Sequence, residues 1–261
     1  MNSEILVEQF CTPPQNEETD FDRKAFADAE NIEIEFEGRL LKGYSLGTGK
    51  TVLLVHGWGS RASHLILLAR FLTKNGYRAV VFDAPAHGNS RKKNDVSNMF
   101  EMGRAISTVA KKVGPIYGLI AHSLGASAAL FALAGTGHLS AHTFEVEKLI
   151  LISTPISVER IIENYSRNKN EMDTIGELTL SLENAFNFRA TDYNLLTSLP
   201  SVKASIMIIH DEQDEEIPVS EALMLKEADE RILLKITTGY GHQKILMNRE
   251  MLNSVKEFLE V

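Results

Sequence analysis

The sequence contains one cysteine, Cys11, in 261 residues. A single thiol forms no intramolecular disulfide, so the packing of a hydrophobic core has to stabilise the fold. Cys11 lies in a polar segment beside Pro13 and Pro14, far from any sequence with catalytic character. We therefore assign it no role in function.

Basic residues are also scarce. The chain has 27 Lys and Arg against 35 Asp and Glu, which gives a formal net charge of -8 at pH 7. Proteins that bind nucleic acid without sequence preference set Lys and Arg against phosphates, and no basic stripe compensates for the acidic balance here. Nucleic acid is therefore not an expected partner.

Long apolar runs are missing as well. The longest nearly uncharged stretch, residues 119–138, is interrupted by His122, Ser123 and several glycines, which makes it a poor membrane span. Residues 1–15 carry Glu4 and Glu8 and lack the basic and apolar regions of a signal peptide. We expect a cytoplasmic protein without a membrane partner, and the sequence does not indicate its oligomeric state.

The sequence does contain an alternation of strand-like and helix-like segments. Eight stretches have strand character: residues 31–40, 41–46, 51–55, 77–82, 116–121, 148–152, 205–209 and 231–236. The first two predict an antiparallel edge, and most of the later ones are apolar runs typical of strands buried on both faces. With helical segments between them, they predict an α/β fold with a doubly wound, mostly parallel eight-stranded sheet.

Domain boundaries follow from the same pattern. Residues 1–30 are polar and acidic and predict an irregular lead-in, and residues 31–261 are predicted to form one domain. Residues 157–200 contain helical segments but no strand, which predicts an inserted helical lid. Six apolar residues of this insertion either line an apolar acyl pocket or pack the lid onto the core: Leu180, Leu182, Phe186, Phe188, Leu195 and Leu196.

Ser123 lies where the strand at residues 116–121 runs through His122-Ser123-Leu124-Gly125 into a helix-compatible segment. A serine at such a sharp turn has an exposed hydroxyl, and the helix N-terminus favours the negative charge that develops there. An ordinary helix N-cap serine is the alternative for the motif in isolation. The strand-turn-helix context favours a nucleophile.

A second junction provides candidate oxyanion donors. The strand at residues 51–55 ends in the glycine-rich run His56-Gly57-Trp58-Gly59-Ser60. We predict that the backbone N–H groups of Trp58 and Leu124 converge on the oxyanion that forms when Ser123 attacks a carbonyl. A glycine turn that only connects a strand to a helix is the alternative. His56 is interpreted as a structural histidine.

The candidate base and acid follow the last two strands. His242 lies in a glycine-rich loop after residues 231–236, and imidazole suits the role of base because its pKa is near working pH. The loop after residues 205–209 contains five carboxylates. Asp214 is the favoured acid because it lies a few residues beyond the strand, and Asp211 is its rival.

The chain order Ser, Asp, His and the motifs around these residues resemble the α/β-hydrolase superfamily from about residue 31 onward. Four runs carry the resemblance, namely those from His56 to Ser60, from Phe82 to Ser90, from Ala121 to Gly125, and Gly241-His242. Ala121 and Asp211 depart from it, because the family usually has glycine at both positions. The resemblance implies structural roles for Asp83 and His87.

The resemblance implies acyl transfer to water from an ester or thioester of a small, apolar acyl substrate, through an acyl-enzyme and without metal or organic cofactor. Ser123 is then the nucleophile, His242 the base and Asp214 the acid that orients it. The same fold also serves as a small-molecule receptor with little turnover, a peptidase or a carbon-carbon hydrolase. A scaffold role without activity is the least favoured alternative, because it does not explain the order of serine, acid and histidine along the chain.

Overall fold

The structure, a computed structural model, describes residues 2–14, 17–92 and 95–261. Its strands are β1 Glu30–Phe36, β2 Arg39–Leu46, β3 Lys50–Val55, β4 Tyr77–Phe82, β5 Ile116–His122, β6 Lys148–Ile152, β7 Ser205–Asp211 and β8 Leu233–Thr237. Its α-helices are α1 Ser3–Cys11, α2 Asp20–Ala25, α3 Ile66–Lys74, α4 Met99–Val113, α5 Leu124–Ala134, α6 Val158–Lys169, α7 Ile175–Phe186, α8 Leu195–Ser198, α9 Val219–Ala228, α10 Gly241–Lys244 and α11 Arg249–Glu260. Short 3-10 helices cover Ala62–Leu65, Gly88–Ser90, Gly137–His142, Met172–Thr174, Ala190–Asp192, Leu199–Ser201 and Ile245–Met247.

The eight strands form one sheet in the order β1-β2-β4-β3-β5-β6-β7-β8. β2 pairs antiparallel with β1 and β4, and the other neighbouring strands are parallel. This confirms the predicted doubly wound, mostly parallel eight-stranded sheet with an antiparallel edge. The register brings the last residues of β5, β6 and β7 together at one edge of the sheet, which is where such folds hold their sites.

Two apolar clusters, one on each face of the sheet, form the core. Every residue of β5 is buried, as its uninterrupted apolar sequence predicts for a central parallel strand. The alanine-rich helix α5 follows β5 directly and is buried from Leu124 to Ala132. Its small side chains allow α4 to pack closely on its outer side, so the turn between β5 and α5 is held on both sides by rigid elements.

The first 30 residues differ from the irregular lead-in that the sequence predicts, because they contain α1 and α2. The side chain of Asn2 caps α1 by accepting a hydrogen bond from the Glu4 N–H at 3.0 Å, and Thr19 and Asp22 form a capping box on α2. A nine-residue helix is marginal alone, and α1 gains stability by packing on α7. Residues 1, 15 and 16 of the lead-in lie outside the described residues.

The segment between β6 and β7 contains α6, α7 and α8. An antiparallel bridge between Ser157 and Asn194 closes the part that contains α6 and α7, and α8 follows this bridge. On either side of this bridge, the Val158 N–H donates to the Tyr193 carbonyl at 3.0 Å and the Leu195 N–H donates to the Ile156 carbonyl at 2.7 Å. The inserted helices therefore lie above the carboxyl edge of the sheet on a closed stem. Of the helices in the described ranges, none is long and apolar enough to cross a bilayer.

Candidate active site

Ser123 occupies a strained turn between β5 and α5. Its backbone has φ 55° and ψ -131°, a conformation that residues other than glycine rarely adopt. The Ser123 N–H donates to the Ile152 carbonyl of β6 at 2.9 Å, and the Ser123 carbonyl accepts from the Ala126 N–H at 2.9 Å. The neighbouring strand and the first turn of α5 thus fix the strained conformation and present the hydroxyl above the sheet edge.

Glycines allow the serine turn and the loop after β3 to touch. A Cβ atom at Gly125 would lie 2.3 Å from the His56 carbonyl oxygen, and one at Gly57 would lie 2.8 Å from the Ser123 Cβ. Both distances are below any real contact of a Cβ atom. The close approach of the two loops therefore requires glycine at both positions.

Ser123, His242 and Asp214 form a continuous chain of hydrogen bonds. The Ser123 Oγ lies 2.9 Å from His242 Nε2, and His242 Nδ1 lies 2.8 Å from Asp214 Oδ2. A carboxylate only accepts, so Nδ1 carries the proton and Nε2 is free to accept from the serine hydroxyl. The structure brings together the three residues that the sequence singled out at the ends of β5, β7 and β8.

Backbone amides hold the Asp214 carboxylate in place. Its Oδ1 accepts from the Glu216 N–H at 3.0 Å and from the Ile217 N–H at 2.8 Å. Burial acts to raise the pKa of Asp214. The hydrogen bond with His242 and the electrostatic interaction with its ring act to lower it and outweigh burial, so the pKa lies below its usual value. Asp214 is therefore ionised at neutral pH and directed at the imidazole.

Asp211, the rival acid, contacts the backbone of the loop that carries His242. Its Oδ1 accepts from the Gly241 N–H at 3.0 Å, and its Oδ2 accepts from the Thr237 hydroxyl at 2.8 Å and the Tyr240 N–H at 3.2 Å. Asp211 is fully buried at the end of β7. Its carboxylate thus joins the acid loop to the base loop and makes no hydrogen bond to the imidazole.

Trp58 and Leu124, the predicted oxyanion donors, line the same cavity as Ser123. Among the described residues neither amide has a hydrogen-bond acceptor, as an oxyanion donor requires in the absence of substrate. The Trp58 ring packs edge-on against His87 with a centroid distance of 4.9 Å. His87 Nε2 in turn accepts from the Gly59 N–H at 3.1 Å, so a buried imidazole holds the loop that carries Trp58.

His56 and Asp83, which the sequence marked as structural together with His87, also bind backbone. His56 donates from Nδ1 to the Gly57 carbonyl at 2.8 Å and accepts from the Ala84 N–H at 3.0 Å. The Asp83 carboxylate accepts from the Ala62 and Asn89 N–H groups at 2.7 and 2.8 Å. Burial lowers the pKa of His87 to about 4 and raises the pKa of Asp83 to about 6.

His122 is a residue whose contact the sequence did not reveal. Its Nε2 donates to the backbone carbonyl of His242, 120 residues later in the sequence, at 2.9 Å. The centroids of the His122 and His242 rings are 4.7 Å apart. Burial lowers the pKa of His122 to about 3, so the ring is neutral. The side chain beside the serine thus positions the backbone of the base, and no local pattern signals such a contact.

Glu216 is a second residue that the sequence left among the bystander carboxylates. Its Oε2 lies 3.7 Å from His242 Nε2, beyond hydrogen-bond distance, and half of the side chain is exposed. Among the described residues, no group of three or more His, Cys, Asp or Glu side chains is arranged to hold a metal ion.

A cavity of about 190 Å³ opens beside Ser123. Its wall is mainly apolar and comes from the loop after β3, the start of α4, the inserted helices and α1. The residues that line it are Phe10, Trp58, Ser97, Asn98, Met99, Phe100, Ser123, Leu124, Pro155, Val158, Ile161, Asn164, Tyr165, Asn168, Leu182, Phe186, Phe188 and Ile217. A cavity of this composition accommodates an apolar group next to the serine hydroxyl.

The six apolar residues that the sequence singled out in the insertion divide into three that line the cavity, two that pack in or against the core and one that is exposed. Leu182, Phe186 and Phe188 line the cavity. Leu180 is exposed, while Leu195 is buried in the core and Leu196 packs against it. The two alternatives left open by the sequence therefore both apply, to different residues. Phe100, which meets the ring of Phe188 at a centroid distance of 5.0 Å, is a wall residue that sequence reasoning missed.

The sheet and the hydrogen-bonded serine, histidine and aspartate have the arrangement of α/β hydrolases. The model of the alpha/beta hydrolase family matches residues 52–189, more than half of the chain. The protein therefore belongs to the alpha/beta hydrolase family.

Known proteins with similar sequences and structures agree with this assignment. The Bacillus subtilis (strain 168) protein YqkD, named as uncharacterized, is 22% identical over 237 residues, which cover 84% of this chain and 75% of that protein. An esterase of Pyrococcus furiosus superposes with a TM-score of 0.68 at 22% identity, covering 95% of this chain and 98% of the esterase. A thioesterase domain from the curacin biosynthetic pathway has a TM-score of 0.62 at 15% identity, covering 89% of this chain and 99% of that domain. At these identities the solved structures show a shared fold.

Proposed function

We propose that the protein is a serine hydrolase that cleaves an ester or thioester of a small, apolar acyl group. The observation that carries the proposal is the chain of hydrogen bonds from Ser123 through His242 to Asp214 beside an apolar cavity. An esterase and a thioesterase domain among the proteins of the same fold favour these two bond types.

The geometry supports acyl transfer in two steps. His242 Nε2 takes the proton of the Ser123 hydroxyl as the oxygen attacks the acyl carbonyl, and Asp214 stabilises the imidazolium that forms. The Trp58 and Leu124 N–H groups donate to the oxyanion, and the imidazolium protonates the departing alcohol or thiol. Water, activated by His242, then releases the acyl group and restores the serine.

The cavity supports an apolar acyl group as the part of the substrate that is bound. Among the described residues that line its mainly apolar wall, none is charged, so a charged acyl group would lose its hydration without gaining a charged partner there. The carboxylate of Glu216 lies outside this wall, near His242 Nε2. We therefore place the apolar group in the cavity and the leaving group on the side of Glu216.

The test combines covalent labelling with a substrate panel. We expect a fluorophosphonate to label Ser123, and turnover of short acyl esters and thioesters to fall by about 10⁴- to 10⁶-fold in Ser123→Ala. Ser254→Ala is the matched control, because its hydroxyl donates to the Glu250 carbonyl within α11. A wild-type protein that binds apolar ligands but is neither labelled nor active would be a receptor and would overturn the proposal.

A further inference from the structure

The N-terminal helix α1 belongs to the wall of the cavity. Leu6 and Phe10 lie one helical turn apart on the face that packs on α7, and Ile5 faces solvent. Leu6 is 4% exposed and Cys11 is 3% exposed, so α1 is anchored by two buried side chains. α1 is therefore part of the packed wall of the site.

Phe10 is the residue of α1 that lines the cavity. Its ring meets the ring of Tyr165 edge-on, with a centroid distance of 5.0 Å. Tyr165 lies seven residues after Val158, or about 10 Å along the axis of α6. Both residues line the cavity. Phe10 therefore contacts the last turns of α6, well away from the place where the insertion leaves β6.

The residues after Phe10 continue from the inserted helices to the loop that carries Trp58. The Cys11 carbonyl accepts from the Ser97 N–H at 2.8 Å, directly before the start of α4. The ring of Pro14 lies 3.1 Å from the position of a Cβ at Gly59. Residues 2–14, which we call the strap, thus contact three walls of the cavity: the inserted helices, the start of α4 and the loop after β3.

We propose that Phe10 of the strap determines how long an acyl chain the cavity accepts. The inference rests on the function proposed above and names the acyl length as the property that the site selects. The Phe10 ring lines the cavity and meets Tyr165 in the second half of α6, so a chain that extends from Ser123 along α6 meets this ring. A smaller side chain at position 10 lengthens the cavity and a larger one shortens it.

The experiment compares Phe10→Ala and Phe10→Trp with the wild type and with Ile5→Ala, an exposed residue of the same helix. Two quantities are measured for acyl chains of four, eight and twelve carbons: kcat/KM for p-nitrophenyl esters, and the rate of Ser123 labelling by alkyl fluorophosphonates. We expect Phe10→Ala to raise the ratio of twelve- to four-carbon rates by at least about 10-fold, the effect of one or more methylenes in an apolar pocket. Phe10→Trp is expected to lower the ratio, and Ile5→Ala to leave it unchanged.

Two outcomes overturn the inference while the proposed function stands. The first is a labelled, active protein whose length ratio is the same in both Phe10 variants. The second is an equal change of rate at every chain length, which would make the strap a barrier to entry rather than a limit on length. If Phe10→Ala does not fold, Phe10→Leu removes the ring with less loss of packing, and its ratio is expected to rise. A wild type that is neither labelled nor active contradicts the proposed function instead.

Discussion

Asp211 and Asp214 lie three residues apart in one loop, yet their carboxylates have different partners. Asp214 faces the imidazole of His242, and Asp211 faces the backbone of the loop that carries it. The turn between them explains the difference. Gln213 and Asp214 both donate from their N–H groups to Asp211, which folds the loop back toward β8.

Exchanging each carboxylate for an amide separates the two roles. We expect Asp214→Asn to fold and bind substrate but to lose about 10³- to 10⁴-fold in turnover, because an amide beside Nδ1 stabilises the wrong tautomer of His242. Asp211→Asn keeps the partner of His242, so its turnover should fall far less. It should instead lower the free energy of unfolding by about 1.5 to 3 kcal/mol, since the buried Thr237 hydroxyl and the partly buried N–H groups around it lose a charged acceptor.

Turnover and urea unfolding of the two variants check this prediction. The reverse pattern, with the larger loss of turnover in Asp211→Asn, would assign the orienting role to Asp211. The roles proposed for Ser123 and His242 would be unaffected, because neither depends on which carboxylate faces Nδ1.

The turn between β5 and α5 depends on Gly125. A Cβ there meets a backbone oxygen, which has no flexible side chain that can move away. We expect Gly125→Ala to separate the turn from the loop after β3 and to lower kcat by about 10²- to 10³-fold, as for the loss of one oxyanion donor. Unchanged kcat in a folded Gly125→Ala protein would contradict the contact between the loops.

Gly176→Ala is the matched control for this change. Gly176 lies in α7, and no heavy atom is within 4 Å of a Cβ built on it. We expect the variant to keep wild-type kcat and to gain about 0.5 to 1 kcal/mol in the free energy of unfolding, because alanine loses less backbone entropy than glycine in a helix. Urea unfolding and initial rates measure both quantities.

The inserted helices have a wall that faces the cavity and a surface that faces solvent. Phe186 and Phe188 are partly buried in the wall and meet Phe100, at centroid distances of 6.5 and 5.0 Å. We expect Phe186→Ala and Phe188→Ala to change the preference among acyl lengths by about 10-fold or more. Their loss of stability should be below the roughly 3 to 5 kcal/mol of a fully buried phenylalanine.

Leu180→Ala, an exposed position on the helix that also contains Phe186, serves as the control and should change neither quantity. The preference is measured as kcat/KM across a series of acyl esters, and the stability by urea unfolding. A loss of about 3 to 5 kcal/mol in the free energy of unfolding of both phenylalanine variants, with the acyl preference unchanged, would show that these residues are core rather than wall.

The whole molecule should lose stability in mild acid, because it buries neutral histidines. Burial lowers the pKa of His87 to about 4 and that of His122 to about 3, while the unfolded chain protonates near 6.5. Their stabilising effect is therefore complete above pH 6.5 and is lost as the pH falls toward those values. The loss approaches about 1.4 kcal/mol per pH unit for each histidine.

Asp83 acts in the opposite direction. Burial raises its pKa from 3.8 to about 6, so its contribution is complete below pH 3.8 and is lost as the pH rises through about 6. It offsets part of the acid effect between these values. Urea unfolding at pH 7.5, 6 and 5 tests the balance. His87→Gln should flatten the pH dependence of the free energy of unfolding, and His138→Gln, a change at an exposed histidine, should not. Equal slopes in the two variants would contradict the attribution of the acid effect to buried His87.

The sequence by itself determined the sheet and the positions of Ser123 and His242 at its edge. These features rest on local patterns, since apolar runs specify buried parallel strands and small residues around a serine specify a turn. The connection rules of α/β folds then place the carboxyl ends of the strands at a common edge. That the serine and histidine loops meet follows from the order of elements alone.

Contacts between distant segments were decided only by the tertiary structure. The choice of Asp214 over Asp211 depends on a turn whose amides bind Asp211, and the hydrogen bond from His122 to His242 spans 120 residues. The polar and acidic character of the first 30 residues as a whole conceals the helix α1, which packs on α7 and brings Phe10 into the wall of the cavity. Propensity and periodicity act within a few residues, whereas these contacts depend on which surfaces the fold brings together.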